Sequence, residues 1–166
     1  MTRRVPLLNV TCDLRYPGVI HEVSEAMLAC GAGAVGYQER PGCISVRAHW
    51  MHWPCLIPQY GPGKKHERPI SLAAWQSEIV RDRPGRFVRG LFHSDGSRCL
   101  NRIRHGATIY TYPRYTFVNE SADIMGLCQE ALDRLGVPWR MCRRNMLSVA
   151  RRDAVRTLDR YVGPKW

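Results

Sequence analysis

Residues 86–96, "RFVRGLFHSDG", combine the spacing of an amphipathic helix with a glycine inside the same turn. Large apolar side chains recur at the i, i+1, i+4, i+5 positions that share one helical face: Phe87, Val88, Leu91 and Phe92. Gly90 lies among them, where glycine costs about 1 kcal/mol relative to alanine. A close approach of another backbone, or a function that requires one, explains a glycine at such a place. The segment therefore predicts a helix whose glycine-bearing face meets a neighbour.

Composition places this helix in a basic globular protein. The chain has 166 residues, is 45% hydrophobic and contains five tryptophans, which predicts one packed domain or two small repeated halves. Lys and Arg number 25 against 14 Asp and Glu, for a net charge of +11. Arginine dominates this excess and alternates with aromatic residues in strand-like stretches, which favours a nucleic acid over a role in solubility alone.

Cysteine usage and hydropathy indicate a cytoplasmic protein without a membrane partner. The seven cysteines form no C-x-x-C pair, as expected of reduced thiols. No apolar run approaches the roughly 18 residues of a membrane span, and the N-terminal residues lack the pattern of a signal peptide. A zinc site from Cys43, His49, His52 and Cys55 lacks a paired knuckle, so aromatic packing is the favoured interpretation of "HWMHWPCL".

An internal repeat organises the chain. "SEAMLACG" (24–31) aligns with "QEALDRLG" (129–136), "ISV" (44–46) with "LSV" (147–149), and "LIPQYGPGKK" (56–65) with "LDRYVGPKW" (158–166). The sequence pattern of each copy predicts an extended run, a helix, two short strands and a closing helical stretch. The predicted extended runs are 7–13 and 112–119, the helices 16–30 and 122–135, and the strand pairs 35–40 with 43–48 and 139–144 with 146–151.

The second copy begins with a segment that has no counterpart in the first. Residues 86–96 and the strand-like 98–106 would align before residue 1, so the first copy lacks its opening helix and most or all of its first strand. The predicted fold class is α+β, with two similar half-repeats. The expected segments are an incomplete N-terminal half (1–63), a connecting loop and helix (64–85) and a complete C-terminal half (86–166).

The nonapeptide "VRGLFHSDG" (88–96) resembles the motif of the LAGLIDADG, or dodecapeptide, homing endonucleases. The glycines, the leucine and the last acid of the motif correspond to Gly90, Leu91, Asp95 and Gly96. Phe92 stands for an apolar residue and Ser94 for a small one. Two positions depart from the motif, with Arg89 in place of an alanine and His93 in place of the first acid.

The resemblance implies an αββαββα fold in each copy, in which two motif helices pack face to face through small residues. It implies a helix interface at Gly90, Phe87 and Leu91, and a Mg²⁺ or Mn²⁺ ion held by Asp95 and the carbonyl of Gly96. It also implies that the sheets form a saddle on double-stranded DNA. The expected DNA contacts are Arg47, Arg98, Arg102, Arg104, Arg114, Arg140, Arg143 and Arg144.

Basic residues beside the metals assist catalysis in the family that this chain resembles. The repeat offers Lys65 and His66 after "GPGK", and Lys165 after Gly163 and Pro164. The alternative interpretation of these residues is that they are solvated charges, and that the Gly/Pro-rich stretch is a linker between the halves.

These expectations describe a homing endonuclease that hydrolyses phosphodiesters with a divalent metal. The alternative is a non-catalytic DNA-binding protein or transcriptional regulator on the same fold, and a weaker third hypothesis is an RNA-binding module. Two motif acids bind the metals in that family, whereas this chain supplies Asp95 alone. Either the monomer binds DNA without cutting both strands, or two chains pair as a homodimer through the 86–96 helix.

Overall fold

The computed structural model of the chain describes residues 5–57, 59–61, 63–64 and 67–165. These residues form two compact units. The N-terminal unit extends to Tyr60 and includes Lys165, and the C-terminal unit is Gly61–Pro164. The boundary between Tyr60 and Gly61 lies inside the Gly/Pro-rich stretch.

The N-terminal unit is a three-stranded antiparallel sheet with a helix against one face. Its elements are β1 (Leu7–Asp13), α1 (Pro17–Ala29), β2 (Gly36–Arg40), β3 (Cys43–His49) and α2 (Trp53–Leu56), and the strand order is β1-β3-β2. Val46 and Ala48 of the central strand are buried together with Met27 of α1 and Trp53 of α2. The indole Nε1 of Trp53 donates to the Ala48 carbonyl at 2.9 Å, which satisfies the one polar atom of this ring inside the core.

The C-terminal unit is a four-stranded antiparallel sheet of order β4-β5-β7-β6, covered on one face by helices. Its elements are α3 (Ala74–Asp82), α4 (Pro84–Asp95), β4 (Gly96–His105), β5 (Thr108–Val118), α5 (Ala122–Arg134), β6 (Arg140–Arg143), β7 (Met146–Val149) and α6 (Arg152–Val162). Phe117, Leu147 and Leu158 lie at its centre with no exposed surface. Ser121 caps α5 by accepting a hydrogen bond from the backbone N–H of Ile124.

The sheet registers confirm the repeat. Thr11 faces Ser45 across β1 and β3, and Thr116 faces Ser148 across β5 and β7. The two aligned helices, α1 and α5, each contain 13 residues. Serine therefore lies at the same place in each sheet, between the buried residues of "ISV" and "LSV".

The two helix ends are also equivalent. Gly31 after α1 has a φ of +107° and Gly136 after α5 a φ of +64°, a region that L side chains rarely adopt. The N–H that follows each glycine donates back to a buried residue of the helix, from Ala32 to Met27 and from Val137 to Leu132. These glycines terminate the helices as the aligned sequences predict.

The copies differ where the sequence predicts it. Among the described residues, the N-terminal unit contains no strand beside β1 that corresponds to β4, and no helix that corresponds to α4. The closing helices differ too, since α2 has 4 residues and α6 has 11. β5 begins at Thr108, four residues before the predicted run, because the β4–β5 hairpin pairs as far as its turn.

Neither a membrane span nor a disulfide is present in the described part of the chain. Of the helices described, none combines the length and hydropathy that crossing a bilayer requires. All seven cysteines lie within the described ranges, and each is a free thiol. Burial raises the pKa of the Cys128 thiol to about 12, so this side chain behaves as a small core residue.

Candidate functional site

The helix α4 presents one side to the core of the C-terminal unit. Val88 and Phe92, four residues apart, are buried, and the Phe92 ring packs edge-on to Tyr115 with a centroid distance of 5.4 Å. Phe87 and Leu91 are half-buried against the same core. The apolar spacing of the sequence thus fixes which side of α4 covers the sheet, and it leaves Asp95 at the end of the helix.

Gly96 connects α4 directly to β4, without an intervening loop. A Cβ at this position would lie 2.6 Å from the Cα and 2.8 Å from the carbonyl oxygen of Phe92, so no other residue fits without a backbone shift. Gly96 is buried, whereas the adjacent Asp95 is exposed. The Asp-Gly pair is therefore a helix-to-strand junction that holds one carboxylate at the surface.

Asn119 holds the Asp95 carboxylate. Its side-chain Nδ2 donates to Oδ2 of Asp95 at 3.0 Å, and its Oδ1 accepts from the backbone N–H of Ser121 at 2.9 Å. Asn119 is 8% exposed, so its amide has little freedom to reorient. Within the described chain, the second carboxylate oxygen of Asp95 accepts no hydrogen bond. Sequence reasoning missed Asn119, whose only signal is its place at the end of the predicted run, two residues before the Ser121 cap.

Arg89 and His93, the two residues that depart from the motif, donate to the same backbone oxygen. Arg89 Nη1 donates to the Val162 carbonyl at 2.6 Å, and His93 Nε2 donates to the same oxygen at 2.9 Å. Val162 is the last residue of α6, and Gly163 follows it with a φ of +65°. A positive side chain at a helix C-terminus interacts favourably with the helix dipole. Arg89 and His93 therefore fasten α6 to α4.

The helix contact expected at Gly90 has no partner in this unit. Gly90 is exposed, and no described residue of the unit lies within 4 Å of a Cβ built there. The glycine of α4 with a close neighbour is Gly85, where a Cβ would overlap the ring of Tyr161 on α6. The interface at Gly90, Phe87 and Leu91 stays a prediction that needs a second helix.

One face of the C-terminal sheet lies opposite the helices, and we call it the open face; Arg114, Thr116 and Ser148 lie on it. On β5, Tyr115 and Phe117 point toward the helices and are buried, so the alternate residues point away. Arg114 Nε donates to Ser148 Oγ at 2.6 Å, and Nη2 donates to Cys142 Sγ at 2.9 Å. The guanidinium group of Arg114 is thereby held flat across β7 and β6.

Arg98 lies on the other, helix-covered face, so the arginines expected to contact DNA are divided between the two faces of the sheet. It pairs with Tyr115 across the β4–β5 ladder and makes two hydrogen bonds to Asp159 of α6, at 2.7 and 3.0 Å. Tyr115 donates its hydroxyl to Asp159 at 2.7 Å. Arg102 and Arg104 lie four and six residues after Arg98 on the same strand, so their side chains point to the same side as that of Arg98 and away from the open face.

These contacts shift the ionisation of Asp159 and Tyr115. Hydrogen bonding from Arg98 lowers the pKa of Asp159 below its usual value. Burial, and then the hydrogen bond to Asp159, raise the pKa of Tyr115. An ionised Asp159 therefore connects β4 and β5 to α6, and Arg98 has a structural partner there.

Three more predicted arginines lie on or after β6. Arg140 is opposite Ser148 and shares the open face with Arg114. Arg143 follows a register shift in β6, and Arg144 Nη2 donates to Glu120 at 3.0 Å. The side chain of Arg144 is 83% exposed, and a surface ion pair of this kind contributes little stability. Arg144 can therefore exchange Glu120 for a phosphate at low cost.

Arg47 has an equivalent place in the N-terminal unit. On β3, Val46 and Ala48 are buried and Arg47 points away from them. Its Nη1 donates to Gln38 Oε1 on β2 at 2.9 Å. The sheet of this unit therefore also carries a polar face with an arginine.

The structure does not test the basic residues that the sequence predicts to assist catalysis at Asp95. Lys65 and His66 lie outside the described residues. Lys165 belongs to the N-terminal unit, where its Nζ lies 5.8 Å from the centroid of the Tyr16 ring. Within the described ranges, no three or more His, Cys, Asp or Glu side chains lie close enough together to hold a metal. The four residues of the zinc alternative are within these ranges and do not form such a group: Cys43, His49, His52 and Cys55.

Comparison with solved structures identifies the fold. I-SmaMI bound to uncleaved DNA target in the presence of calcium ions matches with a TM-score of 0.57 and 10% identity, over 96% of this chain and 74% of that chain. The LAGLIDADG meganuclease I-AabMI bound to uncleaved DNA matches at 0.57 and 8%, over 96% and 76%. The LAGLIDADG homing endonuclease I-GzeII in complex with its DNA target matches at 0.54 and 9%, over 98% and 76%. Searches of family models and of curated proteins returned no match.

Proposed function

We propose that this chain, which has the fold of the LAGLIDADG homing endonucleases, binds duplex DNA on its sheets and hydrolyses a phosphodiester with a divalent metal at Asp95. The observation that carries the proposal is the placement of Asp95. A buried asparagine orients the carboxylate at the end of the motif helix, while its second oxygen accepts no hydrogen bond from the described residues. The open face supplies Arg114 and Arg140 for phosphates and base edges.

The residues present fit a divalent ion in part. An exposed carboxylate oxygen is the hard ligand that Mg²⁺ or Mn²⁺ prefers, and Asp95 offers one. The sequence supplies one motif acid, Asp95, and no group of three or more possible metal ligands lies among the described residues. A bound ion would stabilise the charge that develops on the phosphodiester and lower the pKa of an attacking water. Asp95 would hold the ion, and Asn119 would keep Asp95 in place.

The compared structures support DNA as the partner. Those of I-SmaMI, I-AabMI and I-GzeII contain DNA, and one of the I-SmaMI structures was obtained with calcium ions. The division of the arginines adds a detail to the proposal. We expect the main DNA contacts of the C-terminal unit to be Arg114, Arg140 and the weakly paired Arg144. Arg98 is instead bound to Asp159.

The motif supplies one acid, Asp95, whereas a two-metal site that stabilises both the attacking and the leaving oxygen needs a second. We therefore infer that a monomer nicks DNA, and that double-strand cleavage requires a second copy of Asp95 from a homodimer. The alternative function is DNA binding without cleavage, as in a regulator. The single motif acid, Asp95, is the sequence observation that favours this alternative.

The test is a plasmid nicking assay with Mg²⁺ or Mn²⁺ on the wild type, Asp95→Asn and Asp82→Asn. Asp82 is an exposed acid on α3 and serves as the matched control. We expect nicking by the wild type and Asp82→Asn, and none by Asp95→Asn, while all three bind duplex DNA alike. Nicking that survives in Asp95→Asn contradicts the metal site. Binding without nicking in either metal establishes the non-catalytic alternative.

A further inference from the structure

A cavity of about 550 Å³ lies on the open face of the C-terminal unit, and neither Asp95 nor the arginine contacts above account for it. β7 pairs with β5 only from Tyr115 to Val118, so the first half of β5 extends past the end of β7. The cavity occupies this gap in the sheet. Its lining includes Tyr110, Tyr112, Trp139, Arg140, Ser148 and Arg152.

Two of the three aromatic rings are held by hydrogen bonds. Asn101 Nδ2 donates to the hydroxyl of Tyr112 at 2.7 Å, across the β4–β5 ladder. The indole Nε1 of Trp139 donates to Asp133 Oδ1 of α5 at 2.7 Å. Rings that are already fixed lose little conformational freedom when a ligand stacks on them. The third ring, Tyr110, is 56% exposed.

The charge around these rings is positive. Arg140 and Arg152 are exposed, and neither has an ion-pair partner among the described residues. Arg151 also lines the cavity, and its partner is Asp153 at 2.7 Å. None of the described residues that line the cavity is acidic. Its ligand should therefore combine a flat apolar surface with a negative charge.

We propose that this cavity binds one unpaired nucleotide, with the base stacked on the aromatic side chains and the phosphate on Arg140. A nucleotide combines a π-face with a phosphate, and the cavity has the size of small-ligand sites. A base inside a duplex is already stacked on its neighbours, so it cannot offer its face. The proposal rests on the proposed function for the supply of DNA to this face, and it adds a preference for distorted or single-stranded positions.

The experiment compares two labelled DNA duplexes of one sequence by fluorescence anisotropy, one fully paired and one with a single bulged nucleotide. Stacking of one base predicts that the bulged duplex binds on the order of tenfold more tightly. Tyr110→Ala should remove most of this advantage and leave the affinity for the paired duplex nearly unchanged. Ile109→Ala is the matched control, since Ile109 is 57% exposed, is adjacent in sequence and lies on the opposite face.

The outcomes separate this inference from the proposed function. Equal affinity of the wild type for the two duplexes overturns the cavity proposal while DNA binding stands. Failure to bind either duplex overturns both. An equal loss in Tyr110→Ala and Ile109→Ala also overturns it, because the effect then reflects the hairpin in general. A ribonucleotide at the bulge tests the sugar, and an equal or greater gain supports the stacking site and extends it to RNA.

Discussion

The glycines of residues 84–96 show how neighbouring positions serve different purposes. Gly96 is buried against the backbone of Phe92, and Gly85 is covered by the ring of Tyr161. Gly90 is exposed, with no described neighbour of its unit in reach. The sequence identifies Gly90 as the unusual residue because it lies inside the apolar pattern. The structure assigns the close contacts to the two glycines near the helix ends.

Substitution of these glycines by alanine should therefore give opposite results. Gly90→Ala should raise the free energy of unfolding by about 0.5–1 kcal/mol, because alanine is the better helix former and meets no atom. Gly96→Ala should lower it by about 1–3 kcal/mol, because its Cβ overlaps Phe92. Urea unfolding of the monomer measures both. A loss of stability in Gly90→Ala would mean that a second helix already packs against this position, as the motif resemblance implies.

At the scale of elements, side-chain hydrogen bonds join α6 to its neighbours at two places. Asp159 in its middle binds Arg98 of β4 and Tyr115 of β5. At its end, the Val162 carbonyl binds Arg89 and His93 of α4. The residues that depart from the LAGLIDADG motif thus have a physical role in this chain, which is to join two helices.

Asp159→Ala should destabilise the C-terminal unit by about 1–3 kcal/mol at neutral pH, because it leaves the buried Tyr115 hydroxyl without its acceptor. The effect should depend on pH with a definite sign. The folded state lowers the pKa of Asp159 below 3.8, so its charge contributes stability above pH 3.8 that is lost as the pH falls further.

Urea unfolding of wild type and Asp159→Ala across this acid range checks the prediction. The stability difference should be constant near neutral pH and should shrink below pH 3.8. Asp82→Ala, an exposed acid, is the control and should show no such difference. A gap between wild type and Asp159→Ala that widens in acid would contradict the assignment of Asp159 as an ionised partner of Arg98.

At the scale of the whole molecule, the proposed binding to DNA should be governed by charge. The net charge is +11, and arginines lie on the polar strand faces of both units. If about six of them contact phosphates, affinity for duplex DNA should fall on the order of a thousandfold between about 50 and 200 mM salt. Arg140→Ala should reduce the slope by about one contact, and a flat salt response would refute binding through the sheets.

Assembly is the second property of the whole molecule. The exposed side of α4 around Gly90 is the surface that the motif resemblance assigns to a partner helix. We expect a monomer that nicks DNA, with a homodimer as the route to double-strand cleavage. Light scattering on the free protein and on its DNA complex measures the mass. Efficient double-strand cleavage by a proven monomer would contradict the need for a second Asp95.

The sequence by itself determined the elements and their repetition. Apolar spacing, the caps at Ser121 and Gly136, and the paired "ISV" and "LSV" strands depend on neighbours along the chain, so local physics is enough to predict them. The same holds for the difference between the copies at α4, which has no counterpart among the described residues of the N-terminal unit, since the internal alignment alone predicts it. The motif also placed Asp95 at a helix end, because an acid before glycine marks that boundary.

Only the tertiary structure decided what each side chain faces. Arg98 and Arg114 look alike in sequence, yet strand register turns one toward Asp159 and the other to the open face. Asn119 lies 24 residues from the carboxylate that it holds. The aromatic cavity exists because β7 stops short of the β5 hairpin. Such contacts join residues distant along the chain, and their geometry is fixed when the strands pair and the helices pack.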